Sequence, residues 1–123
     1  MKRVSLEWKR FETFREARKI FRGIPCIYAM TDGDEAHVLK IGQSQDLWKR
    51  YLGGTGYTVD AVMHGTGNRV FVAAGPADKW ERETIEAILI FKSQPPYCVQ
   101  KKKFLPPDEL EIQHHGDAPK TMP

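Results

Sequence analysis

CIYAMTDGDEAHVLKIG, residues 26–42, is the stretch whose reading decides the fold. Its two ends, residues 26–31 and 37–42, are rich in β-branched and aromatic side chains, and a polar segment around Asp32-Gly33 separates them. Such runs favour strands, and an Asp-Gly step between them is a strong hairpin signal. An antiparallel hairpin is therefore expected here. Gly42, at its close, permits either the close approach of another group or a backbone angle that other residues avoid.

Working downstream, Gln43-Ser44 leads into a short helix near 45–52, with Ser44 as its N-cap and Leu47, Trp48, Tyr51 and Leu52 as its apolar members. Gly53, Gly54 and Gly56 mark a connection, but the GxxxxGK[ST] order of a phosphate loop is absent. Residues 58–64 suit a strand or a helical turn. Residues 69–74 (RVFVAA) read as a third strand. Asp78, with Glu81 three residues on, forms a capping box for a helix from Lys79 to about Ser93, stopped by Pro95-Pro96. Trp80, Ala87, Ile88 and Phe91 are expected to cover one side of that helix, with Ile85 and Leu89 near it. Upstream, Trp8, Phe11, Phe14, Ala17 and Phe21 recur at helical spacing, which predicts a helix over 5–21 ended by Gly23 and Pro25. The tail from Pro106 is polar and proline-bearing, so it is expected to be loosely held beyond Leu110 and Ile112. The fold class that follows is α+β: a three-stranded antiparallel sheet flanked by helices, with an extra N-terminal helix.

With 123 residues, of which 41% are apolar, the chain suits a single domain with a real core. Its 19 Lys plus Arg stand against 16 Asp plus Glu, a net charge of +3. That balance is weak evidence for a polyanionic partner. The placement is uneven, however. Lys2, Arg3, Lys9, Arg10, Arg15, Arg18, Lys19 and Arg22 crowd the first 23 residues, and Lys101, Lys102 and Lys103 form a second run. Either cluster could meet phosphates or form a solvated face. The two cysteines, Cys26 and Cys98, lie far apart and form neither a CxxC pair nor a disulfide framework, so a reducing, cytoplasmic setting is expected. Early charges break up any leader-like apolar stretch, and no run approaches the length of a bilayer span.

The order of these elements and their residues resembles the GIY-YIG nuclease superfamily over residues 24–99. That span forms the nuclease-like core, between a helical extension at 1–23 and a tail at 106–123. Cys26-Ile27-Tyr28 corresponds to the GIY element, with Cys26 in place of Gly. Lys40-Ile41-Gly42 corresponds to YIG, with Lys40 in place of Tyr. Arg50 lies ten residues after Lys40, where the family places its catalytic arginine. His64 follows where several members carry histidine or tyrosine. Glu86 precedes Pro95-Pro96-Tyr97 in a stretch similar to the metal-binding glutamate helix and its closing P-x-Y-N, with Cys98 in place of Asn. The KIG variant looks like the divergent phage- and bacterial-type branch.

The resemblance implies a metal-dependent endonuclease that hydrolyses phosphodiester bonds, with DNA as substrate and RNA as the alternative polymer. Glu86 is then the metal ligand, and a lone carboxylate with water suits Mg2+ or Mn2+. Its bland alternative is a solvated helix residue paired with Arg82 one turn earlier. Arg50 would offer its fork of donors to phosphoryl oxygens. Tyr28 would orient water or pass its proton, which calls for a neighbouring cation such as Lys40, because a free phenol titrates near pH 10. His64 would serve as base or proton relay. Lys40, Gly42, Ser44 and Tyr97 would bind substrate or support the site. One metal-centred site cuts one strand per encounter, so double-strand cleavage calls for a second encounter, a homodimer or a partner that gives specificity. The departures at Cys26, Lys40 and Cys98 keep a second reading open: a noncatalytic nucleic-acid-binding or protein-interaction domain on a nuclease scaffold. His114, His115 and Asp117 could bind a metal, but their place in the tail favours adventitious binding or simple solvation.

Overall fold

The computed structural model describes residues 2–35, 37–50, 69–96, 98 and 110–123, with the backbone alone for Arg50. The expected hairpin is present: β2 (Cys26–Thr31) pairs antiparallel with β3 (Val38–Ser44), placing Tyr28 opposite Gly42 and Met30 opposite Lys40. β4 (Arg69–Ala74) lies on the other side of β2, also antiparallel. These are the three strands expected from the sequence.

The sheet nevertheless has five strands, in the order β3-β2-β4-β1-β5. Residues 5–21, expected as one helix, divide into β1 (Lys2–Phe11) and a shorter α1 (Phe14–Ile20). The helical reading came from Trp8 and Phe11, three residues apart. In a strand, residues three apart point to opposite faces, and here each face is covered. Trp8 joins the core under the long helix, whereas Phe11 joins the core under α1. Val4, Leu6 and Trp8 alternate with polar residues, the pattern of a half-buried strand. Thr13 breaks the two elements apart, since its hydroxyl accepts the Glu16 N–H at 3.1 Å and caps α1.

The tail is likewise built into the sheet. β5 (Leu110–Gly116) runs parallel to β1 from Lys2↔Leu110 to Trp8↔Gly116. Gly116 has φ +70°, and a Cβ there would lie 2.6 Å from the Trp8 carbonyl oxygen, so the chain can leave the sheet at this point only with glycine. His114, expected to be solvated, is tied in. Trp8 Nε1–H donates to its Nδ1 at 2.9 Å, which leaves the proton on Nε2 to meet the Pro123 oxygen at 2.9 Å. Burial lowers the pKa of this imidazole, consistent with its neutral role.

Two helical layers cover the sheet. On one face lie Cys26, Tyr28, Met30, Val70 and Val72 beneath Ala17 and Phe21 of the α1 segment and Leu47 of α2 (Leu47–Arg50). On the other lie Ile27, Ala29, Ile41, Phe71 and Ala73 beneath Ile85, Leu89 and Ile90 of α3 (Lys79–Ser93). β2 is buried along its whole length because both layers meet over it. α3 matches its expected bounds, but its buried stripe centres on Ile85 and Leu89, and Trp80 is 77% exposed. Asp78 is its N-cap by position, without the side-chain hydrogen bond that a capping box requires. No helix among the described residues is long and apolar enough to cross a membrane.

Candidate functional site

β3 is an edge strand among the described residues, and Lys40, Gly42 and Ser44 lie on it. Alternation along the hairpin puts Tyr28, Lys40, Gly42 and Ser44 on one face, with Lys40 diagonal to Tyr28 across the pair. Tyr28 is fully buried, and its phenol lies directly on Gly42. A Cβ at position 42 would fall 2.3 Å from both Cζ and Oη of that ring. Glycine is thus required here for space, because the positive-φ glycines among the described residues are Gly23 and Gly116. With no side chain at position 42, the phenol has room to lie over β3.

The helix that bears Glu86 packs on the same strand from the other face. This helix, α3, packs more extensively on β3 than on β2, and Glu86 is only 9% exposed. The pairing with Arg82 weighed from the sequence is not formed. Arg82 is buried and donates from Nε to Gln43 Oε1 at 3.0 Å, and from Nη1 to the Pro76 and Ala77 carbonyls at 2.9 and 2.7 Å. These bonds tie the first turns of α3 to β3 beside Gly42, one helical turn before Glu86. Beyond the helix, the Cys98 thiol lies 3.4 Å from both the amide nitrogen and the carbonyl oxygen of Ile41. Cys98 therefore closes part of β3's exposed edge, a role that a small hydrogen-bonding side chain can fill. Burial pushes the Cys26 thiol up to about 12, so it is an inert core group.

Arg50 lies in α2, directly after β3 and on the Tyr28 face. His64 and Tyr97 lie outside the described residues. Ser44 is not the helix cap. Its hydroxyl accepts the Asp46 N–H at 3.1 Å, and Asp46 Oδ1 accepts the N–H groups of Trp48 at 3.1 Å and Gly23 at 2.9 Å. The Gly23 N–H, foremost, holds the Asp46 carboxyl below its usual range. The sequence signal for this cap was an aspartate immediately before the apolar Leu47.

A second group of polar residues went unnoticed in the sequence as a site. Asp32, Asp34 and His37, at the hairpin turn, offer ligand atoms within 4.8 Å of one another, close enough to hold a divalent ion. They already bond to each other. Asp32 Oδ1 accepts the His37 backbone N–H at 3.0 Å, and Oδ2 lies 2.7 Å from His37 Nδ1. The side-chain bond to His37 draws the Asp32 carboxyl down to about 2, and the carboxylate raises the imidazole pKa. The raised histidine contributes stability in full below its ordinary 6.5 and loses it as pH rises through the folded value. The depressed aspartate contributes above 3.8 and loses its share as pH falls toward about 2. The clasp therefore acts most strongly between those two ordinary values. Asp32→Asn is expected to return the His37 midpoint, followed by NMR, toward 6.5. An unchanged midpoint would show that the clasp does not form in solution.

No family model matches the chain, and no curated protein matches it. Solved structures do. Two crystal structures of the GIY-YIG N-terminal endonuclease domain of UvrC from Thermotoga maritima, both tyrosine-to-phenylalanine point mutants bound to the catalytic divalent cation, superpose with TM-scores of 0.56 and 0.55. Each is 20% identical to this chain and covers 73% of it and 99% of its own length. Helices on both faces of a mainly antiparallel sheet, with the KIG strand at its edge, thus give this chain an α+β fold of the GIY-YIG type, within a larger sheet.

Proposed function

We propose that the protein is a divalent-metal-dependent endonuclease whose centre wraps the edge of β3, with DNA as its substrate. The observation that carries this reading is the approach of two groups to one strand. The Tyr28 phenol lies on Gly42 from one side, and the helix bearing Glu86 packs on β3 from the other. Glu86 would hold Mg2+ or Mn2+, for which a carboxylate with water is a fitting donor set. When bound, such an ion supplies charge compensation at the scissile phosphate and its leaving oxygen. Arg50 would clamp phosphoryl oxygens and strengthen its hold as charge builds up on them. Tyr28 would orient the attacking water, with Lys40 on the same face favouring loss of the phenolic proton. His64 is proposed as the relay that carries the proton away. Tyr97 and Ser44 would support the site. The departures from the family pattern at Cys26 and Cys98 fall on buried residues with structural roles, whereas the departure at Lys40 falls on the Tyr28 face itself and keeps the noncatalytic reading open.

The test is cleavage of linear and branched DNA by the purified chain in Mg2+, in Mn2+ and in excess chelator. Cleavage that requires either ion and stops with chelator is expected. Binding without cleavage in every condition would favour the noncatalytic module.

A further inference from the structure

We propose that α1 and the adjoining turn of α2 form a docking ridge for the phosphate backbone of duplex DNA that leads toward the candidate centre. Its larger part, α1, precedes the GIY-YIG-like span at 24–99. The N-terminal cations fall into two groups. On β1, Lys9 forms no ion pair among the described residues, whereas Lys2 pairs with Glu81 at 2.5 Å, Arg3 with Glu111 at 2.9 Å, and Arg10 with Glu35. Those paired charges are neutralised. Between Phe14 and Gly23, by contrast, four cations accompany one carboxylate. Arg15, Lys19 and Arg22 are exposed and form no ion pair among the described residues.

Helical spacing sets Arg15 and Lys19 along one flank, next to Arg18, and Arg22 follows in the turn after α1. That flank faces α2. The Arg18 and Arg22 guanidinium carbons lie 4.8 and 5.1 Å from the Trp48 ring centroid, and Arg18 donates to the Trp48 carbonyl at 2.6 Å. The contacts dock α1 on α2 and hold two cations in place. Lys49 follows, exposed, at a cleft of about 430 Å³ that Gly23, Ser44, Gln45 and Asp46 also line. The cleft reaches Ser44 at the end of β3, on the face that carries Tyr28. The carboxylate within the segment is Glu16, and Asp46, which lines the cleft, is engaged by the Gly23 and Trp48 N–H groups.

Charge of one sign in a fixed row complements a phosphate backbone. Trp48 already engages two guanidinium groups at its ring, which leaves less of it for stacking on an unstacked base and favours a duplex over a single strand. The choice of DNA rests on the function proposed above.

The experiment is fluorescence anisotropy of a short duplex DNA with the full chain in chelator, where cleavage plays no part. Combined Arg15→Gln, Lys19→Gln and Arg22→Gln replacement should weaken binding at least about tenfold and flatten the salt dependence by up to about three log units per log unit of salt. Circular dichroism checks that the variant is folded. Lys2→Gln with Arg3→Gln, on paired cations, should change neither quantity. Unchanged binding in the triple variant, equal loss in the control, or tighter binding of single-stranded DNA or duplex RNA would overturn the ridge. Ridge-dependent binding by a chain that cuts nothing would uphold the ridge and defeat the nuclease reading. Cleavage with ridge-independent binding would do the reverse.

Discussion

Gly42→Ala is expected to destabilise the protein by about 2 kcal/mol, roughly 8 °C in Tm, and to displace the Tyr28 phenol. The new Cβ would stand 2.3 Å from the Cζ and Oη atoms of a side chain with no exposed surface. No rotamer change at position 42 relieves this, because alanine has none. The ring must move instead, and it is packed among Cys26, Met30, Leu47, Val70 and Val72. Overpacking of a closed core costs about 1–3 kcal/mol. Tyr28→Leu in the Gly42→Ala background should recover part of the loss, with a coupling of about 0.5–3 kcal/mol in a denaturation cycle. Strict additivity of the two changes would mean that the ring does not rest on the glycine. If Tyr28 orients the attacking water, cleavage should fall in Gly42→Ala even at temperatures where the variant is fully folded.

Glu86→Gln is expected to abolish cleavage, by on the order of 10³-fold or more, while leaving Tm within about 4 °C of the parent. The two side chains have nearly the same volume, so packing on β3 is preserved. What changes is the charge that would hold the metal. A variant that cuts normally would remove Glu86 from the centre. A variant that unfolds would show that the carboxylate serves the fold, and Arg82 offers the comparison. Arg82→Met removes the bonds to Gln43, Pro76 and Ala77 and should lower stability, because it leaves buried acceptors without donors.

The parts of the fold legible in the sequence were those written in local signals. The hairpin carried two strand-forming runs and an Asp-Gly turn, and α3 ended at two prolines. β1 was misread because Trp8 and Phe11 serve different cores, an arrangement settled by pairing with β4 and by β5, which starts more than 100 residues later. β5 itself alternates Leu110, Ile112 and His114, but with no hydrophobe at the third place its inward face was hard to see. At the candidate site, Tyr28 and Gly42 were found as motif residues, and only the register showed that one lies on the other. Arg82's hold on Gln43 and the Cys98 contact with Ile41 join residues far apart in the chain, and neither residue type signals such a contact. Asp32, Asp34 and His37 read as a turn, which they are, before their ligand atoms are seen to converge.

Among the described residues the hairpin turn brings metal-ligating atoms together, the proposed centre places the ion by Glu86 instead, and the two are separable by experiment. Paramagnetic Mn2+ added at low occupancy to the isotopically labelled protein, with the amide spectrum as readout, tests where the ion goes. The account predicts early broadening of the Ile41 and Gly42 signals that Glu86→Gln removes. Broadening confined to residues 32–37, and unaffected by Glu86→Gln, would contradict it.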